Sequence, residues 1–378
     1  MTVQNAENRT KQNVFQQFFS TLEDPRRTNK GHFYYPLDEI LFLVIAAVIS
    51  GAEEWVSIQL FGKAKLEWLR RFFPYKHGIP SHDVLGKLFC RLDPVRFNEC
   101  FMAWVNSISD LTKGEVIAFD GKSICGSGRL GIPKSAVHVV SAYAAQSRLC
   151  LGQVGVDQKE NEIVAIPQLL ELLAIKGCIV TIDAMGCQKE IARKIIGQKA
   201  DYILMVKDNQ KELKEQVEKI FRIQKDCTQD QTIDAGHGRV ETRTCRATGK
   251  LDFMDEKEQW EGIRSVVQIK SERYIKQTGQ TSEETRYYIT SLKPDPAKLN
   301  QAIRSHWAVE NNLHWSLDVV FNEDNLLKKK DYSARNFNII AKIALALLEK
   351  EPSLKASKKK KRLFAALKDD YREKVLKV

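Results

Sequence analysis

The order of apolar segments between residues 114 and 206 limits most strongly what this chain can fold into. Three β-rich runs come first, and helices and strands then alternate: GEVIAFDGKS from 114, AVHVVSAYAA at 136–145, LCLGQVGV at 149–156, a helix at 163–177, a strand at 178–186, a helix at about 187–198 and a strand at 201–206. Short apolar runs bounded by turn residues are typical of buried strands. The segment therefore predicts three meandering strands followed by alternating helices and strands.

This element order is that of an RNase H-like α/β domain. Residues from about 12 to 108 carry helical patterns throughout. A mostly-β segment interrupts the α/β order at about 209–295, with short strand candidates near 240–247, 263–270 and 286–291. The expected fold class is α/β, with an RNase H-like domain, an inserted mostly-β segment and an all-helical N-terminal domain. The predicted boundaries are 1–110, 111–350 and a basic C-terminal tail at 351–378.

Two short helices in the N-terminal part leave two interpretations open. One begins with a plausible N-cap at Ser81, directly after Pro80, and the next runs from Pro94 through Trp104. Two helices joined by a tight turn suit a DNA-reading helix-turn-helix, and an ordinary helical bundle is the alternative. Residues 1–110 are accordingly predicted to be a DNA-binding domain.

The charge of the chain favours a polyanionic partner without deciding the matter. The net charge is +11, and residues 350–378 alone contribute +7, from eleven Lys and Arg against four Asp and Glu. Such a balance suits nucleic acid or an anionic membrane, and a merely cationic soluble surface is the alternative. Eight cysteines without a CxxC pair, a polar N-terminus and a longest apolar run of only ten residues predict reduced thiols in a cytoplasmic protein.

Acidic residues interrupt two of the apolar strands. Asp120 and Asp183 each stand at the predicted C-terminal end of a strand, where ligands collect in open α/β sheets. Two carboxylates there suit Mg²⁺, which prefers oxygen ligands. Glu310, in a predicted helix and braced by Trp307 and Trp315, is the best third ligand. Taken singly, Asp120 fits a turn residue and Asp183 a helix N-cap.

The stretch RSHWAVENNLHWSLDV places two His-Trp pairs around Glu310. A spacing of four sets His306, Glu310 and His314 on one helix face. Imidazoles at that spacing also suit zinc, but the HExxH pattern is absent and no third nitrogen or sulfur ligand is evident. The histidines are therefore interpreted as supports of the site or phosphate contacts, with a structural role as the alternative.

Basic residues near these acids are candidate DNA contacts. The set comprises Lys122, Lys207, Arg304, His306, His314, Lys328, Lys329 and Lys330. Lys207 precedes Asn209 and Glu212, whose spacing also fits a helix capping box. The runs at 328–330 and 358–362 are either solvated faces or sources of sequence-blind, salt-dependent affinity for DNA.

Four blocks together resemble one family. AFDGKSICGS, VTIDAMGCQKEIA, ADYILMVKDNQ and RSHWAVENNLHWSLDVVFNEDN, in this order, are similar to the motifs of the H-repeat-associated, insertion-sequence type DDE transposases. The resemblance covers roughly residues 15 to 350 and implies an RNase H-like catalytic domain. It assigns the catalytic, metal-binding acids to Asp120, Asp183 and Glu310. It also implies Mg²⁺ or Mn²⁺, cleavage of double-stranded DNA at element ends, joining of the 3′-hydroxyl to target DNA, and a homodimer on DNA.

One departure concerns the grip on the DNA end. Related insertion-sequence transposases carry Tyr, Arg and Lys around the Glu, where this chain has Ile303, His306 and Leu317. His306 or Arg304 is the candidate replacement. An RNase H-like nuclease that cuts without joining, and a catalytically idle DNA-binding relic, are the alternative functions.

Overall fold

The computed structural model describes residues 14–26, 34–128, 136–156, 162–225, 227–236, 238–255 and 257–377. The first thirteen residues of the predicted helical domain lie outside this set. The described α-helices are α1 Val14–Phe19, α2 Leu37–Ile49, α3 Trp55–Ala64, α4 Leu66–Leu69, α5 His82–Arg91, α6 Pro94–Ile108, α7 Glu162–Leu172, α8 Lys189–Gly197, α9 Lys211–Ile223, α10 Pro296–His306, α11 Ser333–Lys350, α12 Lys358–Leu367 and α13 Asp369–Leu376. The described strands are β1 Val116–Ile124, β2 Val137–Ala144, β3 Leu149–Val156, β4 Ile179–Ile182, β5 Asp201–Val206, β6 Thr228–Gly236, β7 Arg239–Thr248, β8 Ser265–Ile275 and β9 Thr281–Thr290.

The nine strands form one mixed sheet in the order β3-β2-β1-β4-β5-β9-β8-β7-β6. β1, β4 and β5 run parallel, whereas β2 and β3 form an antiparallel meander beside β1. The meander and the strand–helix alternation follow the prediction from sequence. The chain therefore has a mixed α/β architecture in which a large sheet is covered by helices.

The inserted segment extends this sheet. β9 pairs antiparallel with β5, and β8, β7 and β6 follow outward from it. Three of these strands match the predicted candidates. β6 was not predicted, because TQDQTIDAG is polar and almost entirely exposed, so it carries no apolar signal.

The helical region packs directly onto the sheet. α6 contacts β3, and α11 lies against α2, α5 and α6. α2 is buried almost throughout its length, which explains the apolar run of its sequence. α5 begins at the predicted cap, since Ser81 accepts a hydrogen bond from the Val84 N–H. α5 and α6 are therefore part of a layer of helices that covers the sheet.

The C-terminal segment folds as two helices rather than as a basic tail. α12 and α13 pack against α2 and α11. Arg362 and Arg372 are 5% and 0% exposed, and the Arg362 guanidinium donates to the Val48 carbonyl at 2.7 Å. The prediction from charge failed here because long basic side chains bury their stems and satisfy their heads with backbone carbonyls. Among the described helices, none is both long and apolar enough to cross a bilayer.

Candidate active site

Asp120 lies inside β1, not at its end as the sequence suggested. The parallel pairing of β1 with β4 stops at Phe119 and Ile182, while β1 continues beside β2 to Ile124. Asp120 is thus the first residue of β1 that lacks a β4 neighbour, and its side chain is 20% exposed. The strand continues through Gly121, where a Cβ would approach the Glu162 carboxylate to 2.1 Å.

Asp183 follows the last residue of β4 directly. Its Oδ1 accepts a hydrogen bond of 3.1 Å from the Met185 N–H and so caps the short 3₁₀ turn at 184–186. The capping alternative considered from sequence is therefore real, and it occupies one carboxylate oxygen. Because capping fixes the turn, it also holds Asp183 at the sheet edge beside Asp120.

Glu310 lies on a helical segment of unusual pitch. α10 ends at His306, and Val309–His314 then forms a π-helix. Such segments are rare and occur frequently at functional sites. Glu310 is exposed on this segment, whereas Val309 and Leu313 are buried. The prediction that both Trp307 and Trp315 pack around Glu310 is correct only in part, since Trp307 is half-buried while Trp315 is 53% exposed.

The three acids line one cavity of about 160 Å³. Burial raises the pKa of Asp120 to about 7, and the neighbouring charges of Glu310, Asp183 and Glu162 contribute in that order. Burial also raises the pKa of Asp183, with Glu162 as the next cause. The side of the Glu310 carboxylate that faces the cavity is partly desolvated, which raises the pKa of Glu310, and Asp183 contributes. The carboxylates therefore act on one another electrostatically, as groups sharing a site do.

No complete ligand set is formed by this arrangement. Among the described residues, no three His, Cys, Asp or Glu side chains are grouped as an ion would require. The acids share a cavity without forming one coordination shell, and the zinc alternative likewise finds no ligand group. As donors, three carboxylates still match the preference of Mg²⁺ and Mn²⁺ for hard oxygen ligands.

The two histidines flank the acids in different ways. His306 lines the cavity, and its Nδ1 is hydrogen-bonded to Thr181 Oγ1 at 2.9 Å. His314 Nδ1 lies 3.4 Å from Asp120 Oδ2, and its buried Nε2 has no hydrogen-bond partner. Burial lowers the pKa of His306 to about 4 and that of His314 to about 3. Both rings are therefore neutral near pH 7 and add no positive charge beside the acids.

Lys122 is held in a network beneath the cavity. Its ammonium pairs with Asp318 and lies 3.4 Å from Glu323 Oε2. Glu323 is only 4% exposed, and it accepts a hydrogen bond of 2.6 Å from the Asn338 amide. With its side chain 13% exposed, Lys122 is committed to these carboxylates in this structure.

Lys207 is the predicted basic residue that reaches the acids. It is exposed, lines the same cavity and lowers the pKa of Asp183. The capping-box alternative is wrong, because α9 starts at Lys211 without a side-chain cap. The Asn209 amide instead donates to the Ala184 carbonyl at 2.7 Å, which ties the turn after Asp183 to the end of β5.

The lysine run at 328–330 is not a uniformly solvated face. Lys328 is 8% exposed, donates to the Glu53 carbonyl at 2.8 Å and lies over the rings of Trp55 and Phe337. The expected surface position is therefore wrong for Lys328, because its stem packs in the helical layer and its head is already bonded. Lys329 is half-buried and Lys330 exposed.

Matches to two known protein families divide the chain between the helical N-terminal part and the part that contains the sheet and the acids. Residues 112–347 match the family described as the transposase DDE domain, and residues 16–105 match the family that accompanies it, described as DDE_Tnp_1-associated. The chain belongs to the DDE transposase family. The first match spans β1 to α11, and so contains all three candidate acids.

Relatives within the DDE family are similar over nearly the whole chain. YncI of Escherichia coli O157:H7, provisionally named a transposase, is 39% identical over 95% of this chain and 93% of its own. YhhI of Escherichia coli K12, provisionally named an H repeat-associated transposase, is 38% identical over 94% of this chain and 96% of its own. A piggyBac transposase synaptic complex with hairpin DNA aligns with a TM-score of 0.45 and 12% identity, covering 97% of this chain and 77% of that one. The H-repeat-associated resemblance inferred from the four motif blocks is thus confirmed.

Two residues beside the candidate acids were not anticipated from sequence. Glu162, at the start of α7, pairs with His138 at 2.8 Å and raises the pKa of both aspartates. Arg286, on β9, lines the cavity and lowers the pKa of Glu310. Glu162 follows a polar stretch and Arg286 comes from the insertion, so neither has a local motif. Only the folded sheet brings them to the acids.

Proposed function

We propose that this chain is the DDE transposase of a bacterial insertion sequence. It cuts DNA at the element ends and joins the freed 3′-hydroxyl to target DNA by metal-dependent phosphoryl transfer. Asp120, Asp183 and Glu310 are its catalytic and metal-binding residues, within an RNase H-like domain whose core strands follow the order β3-β2-β1-β4-β5. The observation that carries the proposal is the meeting of these three acids in one cavity, where each has a raised pKa.

The three carboxylates would hold Mg²⁺, with Mn²⁺ as a substitute. Bound there, the ions would supply an activated attacking oxygen and charge stabilisation at the leaving oxygen. The chain's own residues prepare this site. Asp183 is held by its turn, and the neutral His314 ring adjoins Asp120 without adding a competing charge. No side chain in this set is an activated nucleophile, so the reaction needs no covalent enzyme intermediate.

DNA would approach from the side of the cavity where basic residues lie. Lys207 and Arg286 line the cavity together with the acids, and Arg304 lies on the adjoining surface of α10. Lys122 and Lys328 are already paired or buried, so within the proposal they serve folding of the site rather than DNA contact. His306, His314, Lys329 and Lys330 stay as predicted DNA contacts, and a homodimer on paired ends stays a prediction.

Incubation of the protein with Mg²⁺ and DNA carrying the flanking ends of its own gene tests the proposal. Joined strand-transfer products are expected with wild type and are expected to disappear in Asp120→Asn, Asp183→Asn and Glu310→Gln. Asp208→Asn is the matched control, because Asp208 is an exposed carboxylate that pairs with Lys214 and is not among the residues that line the cavity. Nicks without joined products would favour the nuclease alternative. DNA binding without any cleavage would favour the relic.

A further inference from the structure

A groove of about 590 Å³ lies beside the catalytic cavity. Five arginines line it against two glutamates, and most of them come from the inserted strands: Arg239, Arg243, Arg273, Arg286 and Arg304. The glutamates already have partners, since Glu241 lies 3.6 Å from Arg273 and Glu284 accepts from Arg286 at 2.7 Å. The groove therefore keeps an excess of positive charge.

Arg243 is the most unusual member of this groove. It is only 5% exposed, and its Nε donates to Asn300 Oδ1 at 2.8 Å. Its buried Nη2 has no hydrogen-bond partner, and among the described residues no carboxylate forms an ion pair with it. Burying a guanidinium without a counter-charge is costly, so such a group is normally matched by an anion.

The groove and the catalytic cavity share two residues. Arg286 and Trp307 line both, and the Arg286 guanidinium lies 5.1 Å from the centre of the Trp307 ring. Arg304, on the last turn of α10, pairs with Asp234 at the outer side of the groove. A strand lying in the groove would thus reach Arg286 and Trp307, which also line the cavity that holds Glu310.

We propose that this groove binds the phosphate backbone of the DNA strand whose end enters the catalytic cavity, with the guanidinium groups of Arg243 and Arg304 each contacting a phosphate. The inference rests on the proposed function and names a site for the grip on the DNA end that the apolar Ile303 and Leu317 do not supply. Guanidinium groups suit this task because they offer paired donors in the geometry of phosphate oxygens.

Binding of a labelled duplex of arbitrary sequence, measured by fluorescence anisotropy at several salt concentrations in EDTA, tests the groove without cleavage. Each lost phosphate contact reduces the slope of log K against log salt by about 1. We expect this reduction in Arg304→Gln and Arg243→Gln. Arg193→Gln is the matched control, because Arg193 is also a surface arginine in one ion pair, with Glu190 on α8. Its slope is expected to equal that of wild type.

The outcomes separate the groove from the proposed function. Unchanged slopes in Arg304→Gln and Arg243→Gln, with wild-type binding intact, overturn the groove and leave the transposase proposal standing. Absence of binding by wild type overturns both. If circular dichroism shows that Arg243→Gln does not fold, two other variants decide between these outcomes. One is Arg304→Gln, and the other is Arg243→Lys, which keeps the charge but has a single terminal nitrogen. A second arm adds inorganic phosphate alone: stabilisation of wild type by phosphate with unchanged duplex slopes would assign the groove to a free anion instead.

Discussion

Replacing Asp120 with Asn tests the electrostatic argument for the site without requiring catalysis. Burial and the neighbouring acids raise the pKa of Asp120 from 3.8 to about 7. Between these two pH values the folded chain keeps a proton that the unfolded chain releases, so the free energy of unfolding falls as pH rises. At about 1.4 kcal/mol per pKa unit, the ionised Asp120 costs the fold up to about 4 kcal/mol above pH 7.

Asn removes this charge while keeping an oxygen that can accept a hydrogen bond. Asp120→Asn is therefore expected to raise the free energy of unfolding by up to about 4 kcal/mol at pH 8, and by roughly 2 kcal/mol at pH 5, where the folded wild type retains its proton. Urea unfolding followed by circular dichroism in EDTA measures both values. Adding Mg²⁺ should then stabilise wild type more than the variant, because the ion offsets the same repulsion.

Asp208→Asn is the control for the sign of the change in the free energy of unfolding. Asp208 is exposed, and its pairing with Lys214 lowers its pKa, so its replacement should not stabilise the chain at pH 8. If Asp120→Asn proved no more stable than wild type at pH 8, the claim that burial and the neighbouring carboxylates disfavour ionised Asp120 in the folded state would be refuted. The proposed metal site would then lose its main physical support.

Other perturbations address single groups. Glu310→Gln should reduce the initial cleavage rate by more than the roughly hundredfold typical of losing a group that only supports a metal ligand; a smaller loss would exclude Glu310 as a ligand. Arg286→Gln should lower both the cleavage rate and duplex affinity, because Arg286 lines both cavities, whereas Arg304→Gln should lower affinity alone. Lys328→Met should leave the salt slope of duplex binding unchanged, because Lys328 is 8% exposed and already donates to the Glu53 carbonyl; a reduced slope would show that Lys328 contacts DNA. Mg²⁺ affinity, measured by calorimetry, should rise from pH 6 to 7 and level off above it, as Asp120 loses its proton; a flat profile would contradict the raised pKa of Asp120.

The apolar strands and the acids on them could be predicted from sequence because burial leaves a direct pattern. β3 and β5 were predicted with the bounds that the structure gives, and both are almost wholly buried. Asp120 and Asp183 stood out because each interrupts such a run. The end of β1 was mispredicted, because Gly121 looked like a turn signal, whereas it permits close approach of Glu162.

Features that depend on contacts between distant segments left no such pattern. The π-helical pitch around Glu310 places His314 beside Asp120, whereas the residues of this segment suggested only a regular helix. The basic run at 358–362 gave no sign that Arg362 is buried, since burial of an arginine depends on carbonyls supplied by α2. Charge alone therefore overstated how much of the C-terminal segment faces solvent.

The position of the insertion in the sheet links the arginine groove to the acids. β5 and β9 pair through Val206 and Tyr287. Lys207, which directly follows β5, and Arg286, the next residue on β9, both line the cavity that holds the three acids. Strand pairing fixes the register of β9 against β5. A shift of β9 by one residue would therefore move Arg286 away from Glu310 and turn its side chain to the other face of the sheet. The insertion is thus a wall of the site itself rather than a separate appendage. A phosphate held in the groove is positioned relative to the acids by the same hydrogen-bonded sheet that positions Asp183.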